Sequence, residues 1–123
     1  MANPDLVALL VCDATAVDPG GKVTLYGVFD VICAERFPLR HPQFSVFCRC
    51  RFSAPGRAQL VVSAPDGSTL AVPDPIEAKT AGNTQAIYNF TSFEFAAPGD
   101  YPIVLVGTDG PVGGVVLEVR TRQ

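Results

Sequence analysis

The chain is short of the residues that do chemistry at neutral pH. It holds one histidine, His41, among 123 residues. General-base work or thiol activation needs such a group beside a positioned nucleophile and an orienting carboxylate. No such set is marked. The sequence also lacks G-x-x-x-x-G-K-[ST], G-x-S-x-G, H-E-x-x-H and G-x-G-x-x-G. It is therefore read as a non-enzyme with no cofactor. Charge is scarce too. Charged residues make up 17% of the chain, against about 25% in typical domains. The net charge of −3 opposes binding to nucleic acid or an acidic membrane surface, since both need summed positive charge. Long apolar runs are missing. Leu6 to Cys12 is too short to span a bilayer, and Met1 to Asp5 has no basic segment before it. The expected setting is the cytoplasm, where the four cysteines stay free thiols.

What is present has a period of two. From Gln43 to Phe52, the side chains of Phe44, Val46, Cys48, Cys50 and Phe52 share one face. Ser45, Phe47, Arg49 and Arg51 share the other, the pattern of a strand with one face on a core. Lys22 to Cys33 reads as one strand with Val23, Leu25, Phe29, Val31 and Cys33 aligned. Turn chemistry recurs at Pro19-Gly20-Gly21, Ala54-Pro55-Gly56, Pro65-Asp66-Gly67, Pro98-Gly99-Asp100 and Asp109-Gly110-Pro111. Gly113-Gly114 marks a strand interruption or bulge. The segments Ala34 to Pro42 and Pro73 to Asn83 read as loops. No segment carries a helical period, and 11 prolines oppose long helices. The expected fold is all-β: one domain over residues 1–123, a two-layer antiparallel β-sandwich of about 7–8 strands. Tyr101, just after a turn, is placed to form the tyrosine corner of immunoglobulin-like sandwiches.

Certain residues resemble a known group. Leu10-Val11-Cys12-Asp13, Gly21-Lys22-Val23-Thr24-Leu25-Tyr26-Gly27-Val28-Phe29-Asp30, Phe37-Pro38, His41-Pro42 and Phe44 are similar to a family of small bacterial proteins of unknown function. Met-Ala-Asn-Pro at the start and Pro-Gly-x-Tyr near the last strands belong to the same resemblance. It implies a bacterial, non-secreted, immunoglobulin-like β-sandwich. It transfers no catalytic residue.

Candidate sites follow from the misfits. Cys48 and Cys50, two apart on a strand, do not match the C-x-x-C turns of zinc sites, so the four cysteines read as small buried apolar residues and no metal is expected. Asp66, Asp74, Asp100 and Asp109 lack D-x-D-x-D spacing and read as turn residues rather than calcium ligands. His41 reads as a loop histidine bonded to backbone. Asp30 sits in an apolar stretch, where a charge needs a partner or water. Arg49 or Arg51 on the next strand would pair with it and set register. The functional alternative is an anion-binding pocket of Asp30, His41, Arg49 and Arg51. Five arginines and no acid lie between Arg36 and Arg57, which suits that alternative. Finally, Leu6 to Val11 is apolar on both faces. A sandwich strand should show one face to water, so this one needs a further layer. Either loops bearing Phe37, Leu39 and Ile76 cover it, or a partner does. A homo-oligomer or protein partner meeting Val7, Leu9 and Val11 is the expected arrangement.

Overall fold

The computed structural model describes residues 3–122. Met1, Ala2 and Gln123, which belong to the expected domain, lie outside the described residues. Ten strands run in order: β1 Asp5–Val17, β2 Val23–Val28, β3 Val31–Ala34, β4 Leu39–Phe52, β5 Gly56–Ser63, β6 Thr69–Ala71, β7 Ile76–Ala78, β8 Gly82–Phe95, β9 Gly99–Gly107 and β10 Gly110–Thr121. They form two sheets. One has the order β2-β1-β4-β8, the other β3-β10-β9-β5-β6 with β7 also on β5. The expected β-sandwich is what forms, with ten strands among the described residues instead of seven or eight and one parallel pair, β3 with β10. The core between the sheets is built by Phe44, Val46, Cys48, Cys50 and Phe52 of β4 against Leu60, Tyr101, Ile103, Leu105 and Leu117. The inward face of β4 is thus the one its alternation marks.

The predicted strand from Lys22 to Cys33 is two strands. β2 pairs antiparallel with β1, whereas β3 pairs parallel with β10 in the other sheet. The chain crosses between sheets at Phe29 and Asp30. Phe29 N–H donates to Val11 C=O at 2.9 Å in one sheet, and Asp30 C=O accepts from Glu118 N–H at 2.8 Å in the other. Side-chain periodicity does not register this switch, because both halves remain extended. The predicted loop after Pro73 likewise contains β7, and its last residues open β8.

β1 and β2 together make a flap. β1 pairs with β4 only from Asp5 to Cys12, then with β2 from Cys12 to Val17. The β1–β2 turn is tied by Asp18, whose carboxylate accepts from Lys22 N–H at 2.9 Å. At its tip, Gly21 C=O accepts from the Gln85 side-chain amide at 3.2 Å. Gln85 lies opposite Arg49, level with Ala8 near the other end of the sheet. The hairpin must therefore fold back over the outer face. The bend sits at Gly27, which has φ +65° and lies against the Asp13 carboxylate, a place with no room for a β-carbon. Underneath, Cys12, Ser45 and Phe47 point away from the core and are still buried. This flap supplies the further layer that β1 demands at its Cys12 end, while Val7 and Leu10 stay exposed. Phe37, Leu39 and Ile76 pack on the core instead.

The Tyr101 hydroxyl donates to Ala97 C=O at 2.6 Å, the tyrosine-corner contact, and its ring meets Phe95 edge-on at 4.9 Å. Tyr101→Phe is expected to lower stability by about 0.5–1.5 kcal/mol, because the hydroxyl's bond to the Ala97 carbonyl is lost while the ring still packs. Urea melts of the two proteins would check this, and equal midpoints would contradict it.

Candidate functional site

The proposed four-residue pocket does not assemble. Asp30 precedes β3, which lies in the opposite sheet from Arg49 and Arg51. Among the described residues the ion pairs are Arg40–Glu94, Arg57–Glu77 and Arg120–Glu118, so the predicted Asp30–arginine pair is not formed. The Arg49 guanidinium donates instead to the Gln85 carbonyl at 2.7 Å and lies 5.4 Å from the Phe47 ring centre. Arg51 reaches the Asn83 carbonyl at 3.5 Å. His41 is a strand residue rather than a loop residue. Its ring packs between Phe29 and Phe44, with centroids 6.2 and 5.9 Å away. β4 and β8 exchange their inward faces around Pro42 and Ser92, the latter at φ 50°, and this turns His41 toward the aromatics.

The expected interface trio is also split. β1 has a bulge between Leu6 and Ala8, so one extra residue shifts the alternation. Val7 faces out and is 56% exposed, but Leu9 and Val11 point into the core at 5% and 4%. Their side chains therefore cannot supply an outer surface. The expected bulge at Gly113-Gly114 falls one residue earlier: the β10 register shifts at Val112, and Gly113 and Gly114 pair regularly with Leu105 and Val104.

The cysteines divide by environment. Cys48 and Cys50 lie in the core, and burial pushes the Cys48 thiol up to about 12. Cys12 is buried under the flap, and its pKa too is raised by burial. Cys33 on β3 is exposed, contrary to the expectation that all four are buried. A thiolate-specific reagent at pH 8 should modify Cys33 alone in the native protein and all four thiols once it is unfolded. More than one fast-reacting thiol in the native state would contradict the burial. The sign for stability follows. A thiol whose folded pKa lies above its unfolded value of about 8.5 stabilises the fold below that value. For Cys48, that contribution is lost as pH rises through about 12.

The larger of two concave sites found among the described residues forms where edges of the two sheets face each other. Its volume is about 460 Å³. β1 contributes Leu9, Leu10 and Val11, and β10 contributes Val115 and Val116. The crossover contributes Val28, Phe29 and Asp30. Leu10, Val28 and Val116 are between 38% and 55% exposed, which makes the rim an open apolar patch. The two long walls are strand edges without a neighbour. β2 covers β1 only from Cys12 onward, apart from the Phe29 contact at Val11. Leu9, two residues earlier, turns its backbone to the same side, where no strand lies among the described residues. On β10, β3 begins only at Glu118. Val116 lies opposite Pro102, which has no N–H, and aims its own N–H and C=O into the cleft. At one end Leu6 packs against Gly113, and at the other the Asp30–Glu118 bond closes the row.

A family model spans residues 7–120 of the chain. The chain belongs to the family of unknown function (DUF6941). In this DUF6941 member, the run Gly21 to Asp30 that carried the resemblance has a structural meaning. It builds the flap tip, the Gly27 bend and the crossover that ends the cleft. No curated protein matches the chain. Among solved structures, the C-terminal domain of wzt is similar at a TM-score of 0.58 and 10% identity, over 100% of this chain and 77% of that one. At that identity the likeness concerns the fold alone.

The DUF6941 cleft was only half legible in the sequence. The two-sided apolar run Leu6 to Val11 and the Gly113-Gly114 break pointed to its walls. Val28, Phe29, Val115 and Val116 carried no signal of their own, since each reads as an ordinary strand residue. Among the described residues, no group of three His, Cys, Asp or Glu side chains is placed to hold a metal ion. No helix among them is long and apolar enough to cross a membrane.

Proposed function

We propose that this protein is a non-enzymatic interaction module that accepts an extended segment of a protein partner by strand addition in the cleft between β1 and β10. The observation that supports it is the pair of unpartnered strand edges flanking one apolar cleft. An open edge presents backbone donors and acceptors that a further strand satisfies, and side-chain pockets beside it give selectivity. Fully burying a Leu or Val side chain contributes about 1.5–3 kcal/mol, so Leu10, Val28 and Val116 supply affinity beyond the backbone bonds. The open stretch of β10, Gly114 to Leu117, takes a short strand of about 13 Å. Four free cysteines suit a reducing compartment such as the bacterial cytoplasm.

The expectation of self-association changes its basis. The flap covers the second face of β1 only around Cys12, and on the rest of that face Val7 and Leu10 stay exposed. The open cleft is one route by which two copies pair edge to edge, and the outer edge of β8 is another.

The test is an amide-resolved NMR titration of the whole chain with an acetylated, amidated hexapeptide of alternating valine and threonine. Shifts are expected at Leu6 to Val11 and Gly113 to Glu118. No shifts, or shifts confined to β6 and β8, would overturn the proposal. Light scattering of the free chain shows whether two copies pair at all: a mass of 13.0 kDa leaves the cleft open for a partner.

A further inference from the structure

We infer that the segment this cleft accepts carries a lysine or arginine where it passes Asp30, an inference that rests on the strand-addition reading above. The cleft is polarised along its length. At the Gly113 end, Leu6 closes it with an apolar contact. At the crossover end stands Asp30, the one charged residue among those that line the cleft. All the other lining residues are Leu, Val or Phe, so nothing in the wall itself neutralises the carboxylate.

The surroundings do not supply a cation either. Asp30 is exposed and belongs to none of the ion pairs formed among the described residues. Glu118, bonded to Asp30 through backbone, is already engaged by Arg120 at 2.6 Å. Arg49 and Arg51 lie in the other sheet and contact Gln85 and Asn83. A strand laid along β10 from Gly114 to Leu117 ends beside Asp30. As it covers that end it draws water away from the carboxylate. An apolar or acidic residue there leaves the charge poorly solvated, whereas a basic one pairs with it. The same pairing fixes which way round and in which register the segment lies, a choice the backbone bonds alone leave open.

Three acetylated, amidated peptides test this: the alternating valine–threonine hexapeptide extended at each end by lysine, by glutamine or by glutamate. Titrated into the whole chain at low salt, the lysine peptide should bind about two- to fivefold tighter than the glutamine peptide. The glutamate peptide should be the weakest. In Asp30→Asn the three affinities should converge, and added salt should narrow the spread in the native protein. Equal affinities on the native chain would overturn the basic-residue inference while leaving strand addition intact. Binding by none of the three would overturn both.

Discussion

Phe44→Ala is expected to cost about 3–5 kcal/mol of stability. Phe44 is fully buried at the centre of β4. Its ring stacks on Phe90 at 5.0 Å, meets Phe93 edge-on at 5.5 Å, and lies 6.2 Å from Phe95 and 5.9 Å from His41. Each good ring pair adds about 0.5–1.5 kcal/mol beyond area burial, so the cavity also removes several oriented contacts. Chains of this length have a total stability of about 5–15 kcal/mol, so the variant should sit close to the unfolding threshold. Calorimetry should show a melting temperature lower by something on the order of 15 °C. A drop of only a few degrees would mean that the cluster of β4 and β8 aromatics repacks. Phe47→Ala is the contrasting case. Phe47 lies under the flap rather than in the core, and its loss should be smaller and local to the β1–β2 hairpin.

Val116→Pro should lower peptide affinity about tenfold or more and leave the fold in place. Val116 N–H faces the open side of β10, opposite Pro102, so its removal breaks no bond of the β9–β10 ladder. An incoming strand loses one hydrogen bond, which accounts for about 0.5–1.5 kcal/mol, and meets the proline ring where its own backbone must approach. The same NMR titration measures the affinity, and a thermal melt measures the fold. Unchanged affinity in a folded variant would show that the β10 edge is not where the peptide pairs. Leu10→Asp gives an independent check from the other wall: it places a charge on the apolar rim without touching any β10 bond.

How far the sequence could be read differs from element to element. β4 is legible because both its faces have a constant environment over many residues, and the period-two pattern records that directly. Tyr101 was legible because its corner is a contact four residues long, closed within one turn. Gly113-Gly114 marks the neighbourhood of the β10 bulge, although the extra residue is Val112, just before the pair. Asp30 stands out in the sequence as a charge in an apolar stretch, but Arg49 and Arg51, its expected partners, lie in the other sheet. Strands adjacent in sequence are commonly neighbours in one sheet, but here the chain changes sheets at that residue. His41 and the Val7, Leu9, Val11 trio failed for a related reason. A bulge in β1 and the exchange of faces at Pro42 and Ser92 each shift alternation by one residue, and one residue turns every later side chain to the opposite face.

The sequence by itself determined the class of fold, the places where the chain turns, and which face of β4 meets the core. These are local matters, settled by the alternation of side chains and by turn residues within a few positions of one another. Only the tertiary structure decided which strands lie side by side, that the β1–β2 hairpin folds back as a third layer, and that β1 and β10 keep open edges around one cleft. Strand pairing joins residues as far apart as Asp5 and Arg51, or Val31 and Glu118. A backbone edge is open or closed by what arrives from elsewhere in the chain, and an extended residue reads the same in either state.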